Sequence, residues 1–224
     1  MMDKQLLLDG LKKTVAGIVM IGMLLFFPAG TIHYFNGWLF CGVLFIPVII
    51  MGIVLFIKAP DLLRKRLQEK EEQAEQRSVV ALSGLMFLAG FILAGLEFRF
   101  GWTQLPMWLV YAAAVAFLLG YGMFAEVMRE NAYLSRTVEV QEGQVVVDTG
   151  LYGIVRHPMY SATVVMFLAM PLVLGSAVSF AVFLVYPFLL VKRIRNEEQV
   201  LEDGLVGYME YKQKVKYRLI PFIW

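Results

Sequence analysis

Four apolar runs free of charged side chains constrain this chain more than any other feature: residues 14–35, 38–57, 79–96 and 105–125. Each matches the roughly 17–25 residues that a helix needs to cross a hydrocarbon core of about 30 Å. Composition agrees, with 59% hydrophobic and 17% charged residues and a mean hydropathy of +0.68. A soluble domain carries a smaller apolar share and a larger charged one. The 224 residues therefore predict an all-α integral membrane fold. Lys4, Lys12 and Lys13 ahead of an apolar run resemble a secretory leader, but 14–35 is longer than a leader's core and predicts a first span.

Only Asn36 and Gly37 lie between the first two runs, which predicts a tight helical hairpin, with kinks at Pro28 and Pro47. In the fourth run Ala112, Ala116 and Gly120 share one helix face, a pattern for close helix packing. Residues 58–78 mix both charge signs and carry Leu62, Leu63 and Leu67 at helical spacing. They predict an amphipathic connector lying on the membrane surface. Lys58, Arg64, Lys65, Arg66, Lys70 and Arg77 put this connector in the cytoplasm, because basic residues concentrate on that side, whereas 97–104 carries only Arg99. Both termini and residues 126–157 are then cytoplasmic.

Residues 159–191 are uncharged, yet both flanks are cytoplasmic by the same count. One straight helix of that length would run about 50 Å at 1.5 Å per residue, too long for the core. Pro171 and Gly175 mark the easiest place to turn. The run is expected to be a helical hairpin with two short arms. Four full spans plus this hairpin give five to six membrane segments. Residues 192–216 follow as a cytoplasmic helix, in which Arg193 and Glu197, four apart, share a face. Ahead of the hairpin, 137–147 alternates and is rich in Val. It predicts either a small β-hairpin, 138–141 with 144–148 about Glu142-Gly143, or an irregular loop.

The chemistry gathers at the entry to that hairpin, in Gly150-Leu-Tyr-Gly-Ile-Val-Arg-His-Pro-Met-Tyr160. Cations are costly in hydrocarbon, so Arg156 and His157 mark an interface or a polar cavity. Pro158 suits the first turn of a helix, where its missing N–H is not needed. Polar residues concentrate in 126–160 and 192–218, on the same side of one hairpin. They can assemble a pocket with aromatic walls, a carboxylate and an arginine: Gln141, Tyr152, Arg156, His157, Tyr160, Arg193, Glu197 and Glu198. One Cys and two distant His exclude a Cys/His zinc site, and no metal is expected. No G-x-G-x-x-G follows a strand, no G-x-S-x-G or H-E-x-x-H occurs, and no basic face suggests nucleic acid.

The run from Thr149 to Tyr160, the segment from Arg193 to Glu198, and Tyr208-Met-Glu-Tyr211 with Pro221-Phe-Ile resemble the isoprenylcysteine carboxyl methyltransferases. They also resemble the wider class of membrane methyltransferases that includes phospholipid N-methyltransferases. The resemblance covers residues 141–223, while the first four spans match only in number and hydrophobicity. It implies a cytoplasm-facing S-adenosylmethionine site formed by the C-terminal half and roofed by the C-terminal segment. Carried over by motif, Gln141, Gln144, Val145, Val146, Val147, Tyr152, His157, Pro158, Met159, Tyr160 and Glu197 contact the cofactor. Arg193 contacts the substrate and, with Arg156, serves catalysis. The implied division is 1–125, a four-helix membrane region, and 126–224, the catalytic region. The implied acceptor is lipophilic, a prenylated cysteine carboxylate or a lipid amine. Two alternatives stand beside this: an NADPH-dependent sterol-type reductase, whose class resembles this one in its C-terminal region, and a scaffold without activity.

Overall fold

The computed structural model describes residues 4–68, 74–134 and 139–224. Among them the chain forms helices α1 (Lys4–Ala29), α2 (Phe35–Lys58), α3 (Pro60–Gln68), α4 (Ala74–Phe100) and α5 (Met107–Glu130). A 3-10 turn (Gly150–Gly153) follows, then α6 (Pro158–Val173), α7 (Ala177–Phe183), α8 (Tyr186–Gly204) and α9 (Tyr208–Lys214). No strand occurs among the described residues. Among the described residues, five helical segments are long and apolar enough to cross a membrane: α1, α2, Arg77–Phe100 of α4, α5, and the joined α7–α8 from Ala177 to Gly204. The protein is an all-α, multi-pass integral membrane protein.

The first two spans turn earlier than their hydrophobicity suggests. Asn36 and Gly37 lie inside the first turn of α2, and the break falls at residues 30–34. Gly30 adopts φ +67°, a left-handed conformation that glycine alone takes without strain. A hydropathy count misses this break because Ile32, Tyr34 and Phe35 carry the apolar run across the turn. Gly37 instead serves packing: a Cβ there would lie 2.8 Å from the Tyr34 ring. Pro28 is the penultimate residue of α1 and Pro47 lies inside α2.

The connector also differs from expectation. Residues 58–78 do not form one element: α2 ends at Lys58, α3 occupies Pro60–Gln68 with Leu62 buried, and α4 begins at Ala74. The part at 69–73, with Lys70, lies outside the described residues. The fourth run packs through part of the expected face: Gly120 is buried and Ala116 packs against the core. Ala112 is exposed, while Val110, Ala113, Ala114, Phe117 and Gly120 are buried. Gly120 meets α6 so closely that a Cβ would lie 2.8 Å from Met166.

The hairpin at 159–191 has unequal arms. The short arm, α6, spans 16 residues, about 24 Å. It turns at Gly175 (φ +75°) into α7, whose N-cap Ser176 accepts a 2.9 Å hydrogen bond from Ser179 N. Pro187, in the first turn of α8, lacks the N–H needed to continue α7 and sets the α7–α8 break. The long arm then runs on to Gly204, so the expected cytoplasmic helix over 192–216 is two pieces. Its first part belongs to the arm, and Gly207 at φ +85° starts α9.

Lipid tails are as apolar as leucine, so close packing must hold these helices together. Gly90 admits Phe183 of α7, where a Cβ would lie 2.3 Å from the ring. Gly95 likewise receives Leu25 and Ala29 of α1. Phe40, Phe91, Phe117 and Phe183 form the buried centre, with Phe40–Phe91 centroids 5.5 Å apart. Near the Gly175 turn, Glu97 of α4 is 1% exposed. It accepts hydrogen bonds from the Ser176 and Thr103 hydroxyls and, at 3.2 Å, from Val178 N.

Candidate functional site

The other end of the α6–α8 hairpin holds a cavity. The backbone at Arg156 and His157 is tied to the C-terminal segment: Arg156 N donates to Tyr217 O and His157 N to Arg218 O, both at 2.9 Å. The Arg156 side chain is buried and reinforces the tie. Its Nη1 donates to the carbonyls of Val215 (2.7 Å) and Lys216 (2.9 Å), and its Nε to Glu198 Oε1 at 2.7 Å. Arg218 Nε donates to the other oxygen of Glu198 at 2.8 Å. Glu198, 2% exposed, is thereby held between two guanidinium groups. Charges this deeply buried persist only when paired and hydrogen-bonded.

His157 lies between two carboxylates. Its Nε2 is 3.3 Å from Glu198 Oε1 and its Nδ1 3.7 Å from Glu197 Oε1. Burial disfavours the imidazolium, but the two carboxylates outweigh burial and hold the histidine above its ordinary pKa. Pro158 opens α6 at its first turn, as its fixed φ favours, and aims Tyr160 back at α8. The Tyr160 hydroxyl connects the two residues that share the α8 face: it donates to Glu197 Oε2 and accepts from Arg193 Nε at 2.8 Å. Arg193 also stacks its cation near the Tyr160 ring, 5.8 Å from the centroid.

The opposite wall is the loop after α5. Residues 144–147 enter no helix or strand, and a turn closed by Gln144 N donating to Gln141 O (3.0 Å), with Gly143 at φ +69°, feeds them in. Of the two forms expected for 137–147, the irregular loop is the one present over its described part; 137 and 138 lie outside it. Tyr152 is buried against this loop. Its hydroxyl accepts from Asn131 Nδ2 (2.9 Å), its carbonyl accepts from Tyr211 Oη (2.8 Å), and burial pushes its phenol up to about 12.

Gln144, Val145, Val146, Val147, Tyr152, Arg156, His157, Pro158, Met159, Tyr160, Arg193 and Glu197 all line this one cavity. Gln141 does not. It braces the loop instead, donating from Nε2 to Tyr133 O and accepting from Lys65 Nζ, both at 2.7 Å. Asn131, Leu134, Leu201 and Leu205 line the cavity as well and were not expected there. Leu201 and Leu205 extend the Arg193–Glu197 face by i+4 steps, the one signal that could have found them. Among the described residues no cluster of three or more His, Cys, Asp or Glu could hold a metal ion.

Residues 109–203, from α5 to the end of α8, match the model of the family described as isoprenylcysteine carboxyl methyltransferase (ICMT). That match spans less than half of the chain. A solved structure of a eukaryotic intramembrane Ras methyltransferase, ICMT, shares the fold: TM-score 0.50 at 19% identity, covering 96% of this chain and 85% of that one. Two curated relatives are Delta(14)-sterol reductases. The Mus musculus protein is 33% identical over 91 residues, 39% of this chain and 22% of its own length. That of Methylotuvimicrobium alcaliphilum is 22% identical over 136 residues, 54% and 32%. The chain thus spans a third or less of the curated relatives it matches.

Proposed function

We propose that this chain is a membrane methyltransferase that moves a methyl group from S-adenosylmethionine to a lipophilic acceptor, the carboxylate of an isoprenylcysteine-like substrate. The observation that carries the reading is the relay Arg193–Tyr160–Glu197 lining one cavity inside the family-matched region. The residues present suit the donor. Glu197 answers the positive charge of its sulfonium and amino groups, the peptide groups of 144–147 enter no regular structure, and Tyr208, whose buried hydroxyl has no hydrogen-bond partner among the described residues, lines the same cavity. When bound, the donor supplies an electrophilic methyl carbon for in-line displacement.

The protein's part is positioning. A carboxylate acceptor is already ionised at pH 7, so no general base is required. Arg193 would hold that carboxylate through charge-assisted hydrogen bonds, with the Tyr160 hydroxyl fixing its guanidinium at Nε. Arg156 and Glu198 touch each other and the C-terminal segment, so Arg156, first placed with the catalytic groups, is better read as a positioning residue. Catalysis then rests on orientation and exclusion of water. The distribution of basic residues supports a cytoplasmic cavity and cytoplasmic termini. The division into a membrane platform, 1–125, and a catalytic region, 126–224, follows the same reading, although α4 also packs on α7 and α8 of the hairpin.

The test is Arg193→Ala with two readouts. Turnover on a prenylcysteine acceptor should fall by about a hundredfold or more, while S-adenosylhomocysteine binding changes by less than about threefold. Equal losses in both would refute this division of roles. The reductase reading is favoured by the names of the curated relatives. NADPH needs cations for its 2′-phosphate, and here Arg156 is neutralised by Glu198 while Glu197 lines the cavity. A rise in melting temperature with NADPH and none with S-adenosylhomocysteine would select the reductase, since only ligand bound to the folded form stabilises it.

A further inference from the structure

Residues 219–224 close a tight turn outside the cavity. Leu219 N and Ile220 N both donate to Trp224 O, at 2.9 and 3.0 Å, and Ile223 N and Trp224 N both donate to Ile220 O at 3.1 Å. Leu219 is buried in the main core and Trp224 packs against it. Ile220, Phe222 and Ile223 are instead 48%, 87% and 76% exposed. Phe222 takes φ +67°, the one non-glycine at positive φ among the described residues. That conformation is costly for an L residue, so an outlier of this kind points to a function. Here the strained residue is an aromatic one that gains little burial within the protein.

The level of the turn says what covers it. Ser161, in the first turn of α6, donates from Oγ to Leu219 O at 2.6 Å. The turn therefore lies where the uncharged run 159–191 begins to enter the bilayer. The Arg218 guanidinium sits over the Trp224 ring, 5.3 Å from its centroid, and Trp with basic side chains marks the depth of lipid headgroups. Lys212, Lys214 and Lys216 precede the turn, and a basic stretch beside apolar side chains is a combination that holds a segment on a membrane surface. The same stretch reaches the buried cluster: Tyr217 O and Arg218 O accept from the backbone of Arg156 and His157.

We propose that the turn at 219–224 is a membrane-docking element. Ile220, Phe222 and Ile223 seat in the boundary between lipid headgroups and acyl chains, and this seat holds residues 217 and 218 against Arg156 and His157. The bilayer is then part of what keeps the cavity closed. The proposal stands apart from the methyltransferase reading, since neither cofactor nor acceptor enters it.

Two measurements on the protein in nanodiscs of phosphatidylcholine and phosphatidylglycerol test it. A nitroxide attached at Ile223→Cys, in a Cys41→Ala background, should collide more often with dissolved oxygen than with a water-soluble nickel chelate. Greater access to the chelate would put the turn in water, and exclusion of both would put it against protein, such as a second copy of this chain; either result overturns the proposal. The second measurement is hydrogen exchange. Phe222→Asn keeps a residue that tolerates positive φ and removes the apolar ring. It should speed exchange of the peptide holding Arg156 and His157 by about tenfold, the scale of withdrawing part of one aromatic side chain from lipid. Phe222→Trp should keep the wild-type rate, and exchange within α5 should not change in either variant. Unchanged exchange at Arg156 and His157 in Phe222→Asn, or an equal rise throughout α5, would overturn the coupling between the lipid seat and the cluster.

Discussion

Two buried glutamates lie at opposite ends of the same helix pair. Glu97, near the end of α4, meets the start of α7, whereas Lys192 of α8 reaches Ser78 near the start of α4 and Glu198 lies beyond it. Glu97 is satisfied by hydroxyls and one peptide N–H; Glu198 is satisfied by two arginines and faces a histidine. The first arrangement is a fastener. It fixes the α6–α7 turn without placing a compensating cation in the bilayer. The second gathers charge, and it borders the cavity. A buried acid alone therefore says little about function; the kind of group that answers it separates the two ends.

The comparison can be broken at its charged end first. Glu198→Ala strands the buried Arg156 guanidinium, Arg218 being partly exposed, and should cost about 3–5 kcal/mol, seen as a large fall in melting temperature. At the other end Glu97→Ala should cost about 1–3 kcal/mol, the cost of unsatisfied buried donors. Glu97→Gln, which keeps an acceptor, should recover most of the loss. If Glu97→Gln were as damaging as Glu97→Ala, the carboxylate's charge would matter and the contrast would weaken.

A smaller effect is the pH dependence of the charged end. His157 has a folded pKa above its unfolded value of 6.5. Its ionic contribution is therefore fully present below pH 6.5 and is lost as pH rises through the folded value. Melting temperature should decline across that window in the wild type, and the decline should flatten in His157→Gln. A decline of the same size in both would locate the titration elsewhere. The smallest effect belongs to the exposed pair Lys214–Asp148, 2.6 Å apart. Lys214→Met should leave the melting temperature unchanged within error, as solvent-exposed ion pairs contribute little.

Much of the fold was legible because span length is a physical requirement of the bilayer: the apolar runs located α1, α2, α4 and α5, and Pro171 with Gly175 located the hairpin turn. Helix boundaries were not legible where apolar residues cross a polar turn, as at Gly30 to Tyr34. Nor was the role of Glu97, which follows the third run like an ordinary loop charge until the fold brings Ser176 to it. The motif about His157 and the Arg193–Glu197 pair drew together the residues that line one cavity, because both lie at the ends of a single hairpin. Gln141 failed as a cavity residue because its amide is held by Tyr133 and Lys65, contacts formed only across the fold.

The backbone bonds from Arg156 and His157 to Tyr217 and Arg218 also order events during synthesis. The helices as far as Gly204 precede residues 215–218 in the chain and are made before them. Until residues 215–218 emerge, Arg156 lacks its carbonyl partners and Glu198 lacks Arg218. The growing chain therefore holds an incompletely matched charged cluster at the membrane surface, and the cavity acquires its last wall only as α9 and the segment after it dock.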